Sequence, residues 1–203
     1  MDRMRRVLAP SLASLCVSVA LAALLAAPAG AAPSRTVPRA FSMYRFPVAA
    51  GQLFYEERTD RGQDFATRPG GQVLAVGRAV VTTNRGYFPG RTVVLQLLDG
   101  PFAGRFVFYG HARRALVRAG QTVRAGQPVS IAGGVGAPGD PGHMEVGFAL
   151  DENGTIPETA RCDHYTASGG EMHALMHQLN PDLVGTRAIH SPVRCPPKKK
   201  PQH

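Results

Sequence analysis

Val117-Arg118-Ala119-Gly120-Gln121-Thr122-Val123-Arg124-Ala125-Gly126-Gln127 sets a valine and a glycine in alternation at three-residue steps. Two glycines spaced this way suit no helix. They suit a tight β-turn connection, because glycine reaches the positive φ such a turn needs without steric cost. Short apolar runs bounded by Gly, Pro or Asp extend outward from this stretch on both sides. Upstream they are Gln63–Thr67, Gln72–Val76, Arg78–Thr83, Arg91–Leu98 and Arg105–Tyr109; downstream they are Pro128–Ala132 and His143–Leu150. Such runs predict strands. Val93, Leu95 and Leu97 alternate with Val94, Gln96 and Leu98, so this strand is expected to be central and covered on both faces. The prediction is a mainly β chain.

The character changes after Asp151. Residues 151–168 read as loop. Ser168-Gly169-Gly170-Glu171 matches a capping box, and Met172, Leu175, Met176 and Leu179 follow at helical spacing. Asn180-Pro181 ends that helix. The methionine stripe reads as a packing face. His173 and His177 stand four apart on the same helix. Ala174 follows His173 where a metalloprotease H-E-x-x-H helix carries Glu, so the two are read as structural.

Composition bounds the function. Of 203 residues, 44% are hydrophobic, enough for a core, and Gly 23 with Pro 17 makes the chain turn-rich. There is no G-x-x-x-x-G-K-[ST] loop, which excludes P-loop nucleotide chemistry. Arg3, Arg5 and Arg6 precede an apolar run from Val7 to Ala27, and Ala29-Gly30-Ala31 supplies a small-residue cleavage site. Residues 1–31 therefore read as a secretory signal cleaved after Ala31. Cys16 lies inside the apolar run behind Leu15, where a lipid-modified cysteine needs a small residue. Its removal leaves Cys162 and Cys195, an even pair expected to form a disulfide in an exported chain. Closing that loop would stabilise the fold by roughly 3–4 kcal/mol.

Removing the signal lowers the formal charge from +9 to +7. Lys198-Lys199-Lys200 lies in a Pro-flanked tail, and Arg105, Arg113, Arg114, Arg118 and Arg124 lie centrally. A basic exported chain suits an anionic surface, such as a bacterial wall or lipid headgroups. No aromatic stacking platform, recognition helix or zinc-finger spacing accompanies the charge, so nucleic acid is not an expected partner.

Three segments carry the chemistry. The first is Asp60-Arg61-Gly62-Gln63-Asp64-Phe65, with Pro69-Gly70-Gly71-Gln72-Val73-Leu74-Ala75 after it. The second is Tyr109-Gly110-His111 with the Val117–Gln127 turns. The third is Gly139-Asp140-Pro141-Gly142-His143-Met144-Glu145-Val146. In this order they resemble the lysostaphin-like (LytM-type, duplicated hybrid motif) zinc metallopeptidases that cleave peptidoglycan. The resemblance runs from Phe46 to Leu150. It implies an antiparallel sheet with a groove across one face and three protein ligands on zinc, which leave an open position for water.

The family pattern is H-x-x-x-D, then Y-x-H, then H-L-H-F-E-V. Carried over, Asp64 falls on the Asp ligand and His111 on the Tyr-x-His catalytic position. Asp60 stands in place of the first His ligand. In the preferred register His143 is the last ligand, and Pro141 replaces the second catalytic His. An alternative register makes Glu145 the ligand. Both keep His143 and Glu145 on one strand face. Arg58-Thr59-Asp60-Arg61-Gly62-Gln63-Asp64 is also similar to a family branch with R-x-D-x-G-x-D in place of the His motif. Zinc, another divalent ion, or no metal in a degenerate site are the cofactor expectations that follow.

The expected organisation is a signal at 1–31, a polar leader at 32–45 and the β domain at 46–150. Loop plus helix follow at 151–190, and a basic Pro-rich tail at 191–203. The expected function is that of a secreted cell-wall protein, monomeric and without a membrane span after cleavage. It would be a peptidoglycan endopeptidase with a degenerate site, a non-catalytic peptidoglycan-binding or hydrolase-regulating module, or an anionic-lipid or polyanion binder.

Overall fold

The computed structural model describes residues 37–85, 91–134, 142–156 and 166–183. The expected signal with Cys16, the Cys162 and Cys195 pair, Gly139-Asp140-Pro141 and the basic tail lie outside the described residues. No helix among the described residues is long and apolar enough to cross a membrane.

Among the described residues nine strands form one antiparallel sheet: β1 (Leu53–Thr59), β2 (Gln63–Thr67), β3 (Gln72–Leu74), β4 (Ala79–Thr83), β5 (Arg91–Leu97), β6 (Phe106–Ala115), β7 (Thr122–Val123), β8 (Pro128–Gly134) and β9 (Gly142–Ala149). The order is β1-β2-β9-β8-β6-β5-β4-β7, with β3 on β8 and a further β9–β6 pairing. One α-helix among the described residues, α1 (Ala167–Leu179), follows. The mainly β expectation with a single C-terminal helix is met.

The glycine stretch is a double turn. Gly120 and Gly126 have φ of 80° and 79°. Each turn closes in the same way. Gln121 N donates to Arg118 O, and Gln127 N to Arg124 O. The side-chain Oε1 of each Gln then accepts from the backbone N of the same Arg. The repeated Arg-Ala-Gly-Gln is thus two copies of one turn with a glycine where φ must be positive. The turns bind the sheet edge through Gly120 N to Val81 O and Gly126 N to Ala75 O.

β5 lies between β4 and β6, and Val93, Val94 and Leu95 are each fully buried. Its two faces enter different clusters. Val93, Leu95 and Leu97 join the main core with Phe65, Tyr109, Val146 and Phe148, while Val94 packs with Phe108 and Ile156. Tyr109 adds a polar tie, since its Oη accepts from Val76 N at 2.8 Å. Tyr109→Phe should leave that buried N–H unpaired and cost about 1–3 kcal/mol, read as a lower urea midpoint at unchanged slope.

Two expectations need correction. The packed domain begins before Phe46. Tyr44 is 1% exposed, and its hydroxyl donates to Asp99 O and accepts from Phe102 N. Second, the helix cap is Thr166, not Ser168: Thr166 Oγ1 accepts from Gly169 N at 2.8 Å, and Ser168 Oγ donates to Phe148 O instead. A cap needs extended φ/ψ, which Thr166 has. β1 adds a strand to those predicted, in a stretch where Glu56, Glu57 and Arg58 break any apolar alternation. The stripe Met172, Leu175 and Met176 is buried as expected, with Leu179 packed at its edge.

Candidate metal centre

β6 changes partners halfway along. Phe106–Gly110 pairs with β9, whereas Ala112–Ala115 pairs with β8. The switch falls at His111, whose φ of 59° is positive, alone in this among the described non-glycine residues. The ladder to β5 slips by one residue there too, from Val93↔Tyr109 to Arg91↔Ala112. This bulge turns the His111 side chain toward β9. On β9, Gly133↔His143 and Ala66↔His143 place His143 between β8 and β2. Asp64 lies across from Glu145 on β2.

One donor atom each from Asp64, His111 and His143 lies within 4.8 Å of the others. The His111 and His143 rings meet edge-on at 4.6 Å. Asp64 is 1% exposed. Its Oδ2 accepts from Arg58 Nε at 2.7 Å. Its Oδ1 is buried, accepts no hydrogen bond, and stands 3.5 Å from His143 Nε2. The other nitrogen of that ring, Nδ1, lies 2.5 Å from Glu57 Oε2. A carboxylate on Nδ1 holds the proton there and leaves Nε2 as a lone-pair donor, an arrangement common behind metal-bound imidazoles.

Asp64 and His143, two of the ligands the resemblance implies, fit a divalent metal, and His111, which the resemblance makes catalytic, stands where the third ligand would be. A buried carboxylate oxygen without a hydrogen bond, facing an imidazole nitrogen with a second imidazole beside it, is a one-carboxylate, two-His donor set. The structure brings together Asp64, His143 and His111. Asp60 is placed differently. Its Oδ1 accepts from Arg61 N at 2.5 Å, its Oδ2 pairs with Arg58 at 3.2 Å, and it faces Glu145. Glu145 Oε2 in turn is 3.7 Å from His111 Nε2. Asp60 and Glu145 therefore flank the three-residue cluster. Glu57, which orients His143, was missed because it sits on the unrecognised β1.

Burial sets the protonation of the metal-free cluster. It raises Asp64 to about 7, helped by the neighbouring Glu145 and Asp60 charges against His143 and Arg58. Burial likewise raises Glu145 to about 8, with Asp60 adding to it. It lowers His111, and the His143 charge adds to that. For His143, burial is outweighed by Glu57, Asp64 and Glu145, and its pKa rises. Carboxyls raised on folding stabilise the fold at low pH, and that contribution is lost as pH climbs through 7 and 8. His143 acts in the same direction and His111 in the opposite one. Metal-free protein should therefore have a urea midpoint that falls between pH 5 and 8. The D64N/E145Q variant should show a clearly flatter profile; equal slopes would exclude the buried carboxyls as the cause.

Residues 58–155, which hold β2 to β9 and all five candidate residues, match the model of peptidase family M23. The domain has the lysostaphin-like fold of this family. Solved structures similar to it include lysostaphin in solution, at 21% identity and a TM-score of 0.41, over 58% of this chain and 43% of that one. A zinc-containing peptidase from Vibrio cholerae matches at 21% and 0.42, over 60% and 40%. The catalytic domain of the prophage-encoded M23 protein EnpA from Enterococcus faecalis matches at 21% and 0.43, over 58% and 98%. The chain thus spans less than half of the first two proteins and nearly all of an isolated M23 catalytic domain. No curated protein matches the sequence significantly. M23 peptidases are zinc-dependent and act on peptidoglycan, and the residues that match their model include a His/Asp group able to take a metal.

Proposed function

We propose that the chain is an exported cell-wall protein whose M23 domain binds peptidoglycan peptides and cleaves them with a divalent ion held by Asp64, His111 and His143. The observation that carries this reading is the convergence of those three donors with Asp64 Oδ1 buried and unbonded. A metal held there supplies an activated water and polarises the scissile carbonyl. The chain's own groups do the rest. Glu57 holds the His143 ring in its tautomer. Arg58 bridges Asp60 and Asp64 and fixes the direction of both carboxylates. Glu145, on the same strand face as His143, is the carboxyl placed to take up or release a proton beside His111. The export signal and the Cys162–Cys195 disulfide belong to the same reading.

A second reading, a peptidoglycan-binding or hydrolase-regulating module, is favoured by one observation. Asp60, in the place of the family's first His ligand, is already engaged by Arg58 and Arg61 and lies beside the cluster. Metal-loaded protein incubated with purified peptidoglycan decides between the two. Release of new free amino groups, lost in D64A/H143A, supports cleavage. Salt-resistant sedimentation with the wall and no release supports the binding module. Sedimentation that collapses at moderate salt points to polyanion binding through the Arg set and the Lys tail.

A further inference from the structure

Successive residues of a strand face opposite ways. On β1, Glu57 turns to His143, and the preceding Glu56 turns to α1. On β2, Asp64 turns to the cluster described above, and the preceding Gln63 turns to α1. The far face of the β1–β2 hairpin therefore has its own polar group. Glu56 is fully buried, with Oε1 at 3.0 Å from His173 Nδ1 and 3.1 Å from His177 Nε2. The two rings lie 4.3 Å apart, one helical turn from each other.

We propose that Glu56, His173 and His177 form a second divalent-metal site, of the chemistry that takes zinc, clamping α1 to the hairpin that bears Asp60 and Asp64. The three donor atoms lie within 4.8 Å of one another. The Glu–His separations are close to the ~3.4 Å between two ligands of a tetrahedral zinc with bonds near 2.1 Å. Three oxygens converge on one ring nitrogen. His173 Nδ1 faces Glu56 Oε1 at 3.0 Å, Gln63 Oε1 at 2.8 Å and Thr59 Oγ1 at 3.2 Å. Thr59 Oγ1 donates its own proton to Gln63 Oε1, so it turns a lone pair to the ring. A single N–H serves one of these oxygens well. A cation among them satisfies the carboxylate, both imidazoles and the Gln63 oxygen together. The two imidazoles are 24% and 25% exposed, which leaves an ion a way in from solvent.

The two histidines have the i, i+4 spacing of an H-E-x-x-H helix, and the third ligand comes from a strand more than a hundred residues away in sequence. The site's place also gives it a task. Asp60 O accepts from Thr166 N at the helix start, and the Gly169 Cα lies against Asp60 O so closely that a Cβ would clash. A metal that fixes α1 on β1 and β2 thereby fixes the loop from Asp60 to Asp64. It is a structural site, independent of whether the first centre cleaves anything.

The test uses the full chain, stripped by chelator and titrated with zinc and with cobalt(II). About two zinc ions per chain are expected, and about one in each of D64A/H143A and H173Q/H177Q. In D64A/H143A, cobalt(II) should give a visible absorption band with nitrogen and oxygen ligands. Adding E56Q should weaken that binding at least tenfold, and zinc should raise the melting temperature only while Glu56 and both histidines remain. A folded D64A/H143A protein that takes up no zinc would overturn the proposal. So would zinc uptake unaltered by H173Q/H177Q and E56Q. A total of only one ion in the unchanged chain, lost with H173Q/H177Q and kept in D64A/H143A, would support it and sink the first centre.

Discussion

D64A/H143A is expected to lose the metal of the first centre altogether, with affinity there falling at least a thousandfold. The expectation follows from the donor count. Asp64 and His143 supply two of three protein ligands, and His111 alone cannot hold a divalent ion against water. Competition with a chromophoric chelator, beside elemental analysis, measures the change. The positioning contact is graded separately. Glu57→Gln keeps the shape but removes the charge 2.5 Å from His143 Nδ1. A loss of about 10–100-fold in affinity should follow, the usual range for a partner behind a metal-bound imidazole. Affinity in Glu57→Gln equal to the unchanged chain would mean that Glu57 does not orient the ring. If D64A/H143A kept full metal at this centre, the assignment would fall.

Gly133→Ala is expected to be the most damaging single methyl addition in the sheet. A Cβ at Gly133 would sit 2.2 Å from His111 O and 3.4 Å from Arg113 N. Both are backbone atoms of β6, so no side chain can swing aside. β8 or the β6 bulge has to move, and the bulge holds His111 at its positive φ. Overpacking of this kind costs about 1–3 kcal/mol, and the upper end is expected here. Metal affinity should fall with it, because the bulge aims His111 at the cluster. Gly120→Ala is the control. Gly120 has φ of 80°, but nothing lies within 4 Å of a Cβ there. It should cost only the left-handed backbone strain, about 1 kcal/mol, and leave metal binding intact. Equal effects of the two substitutions on metal affinity would show that the β6 bulge does not matter to the site.

Much of the fold was legible because its turns are local. Gly120 and Gly126 need positive φ for reasons contained in four residues each, and the Gln that follows closes its own turn. β5 and β9 were legible because apolar runs bounded by turn residues carry their own burial signal. Asp64, His111 and His143 could be named from motif order.

What the sequence did not disclose depends on distant partners. β1 carries Glu56, Glu57 and Arg58 in succession, a polar run with no apolar face to mark it. It is a strand because each of its charges has a partner supplied by another element. Glu57 meets His143 and Arg58 meets Asp64, while Glu56 meets two imidazoles on α1. The same dependence explains why Asp60 reads as a ligand in sequence and stands beside the cluster in space. Its position is set by Arg58, Arg61 and the start of α1. Local geometry thus determined the turns and most strands, and the resemblance carried by the motifs supplied the names of the candidate ligands. Only the tertiary structure decided which carboxylates are buried, because an isolated charge leaves water only where distant cations or imidazoles meet it.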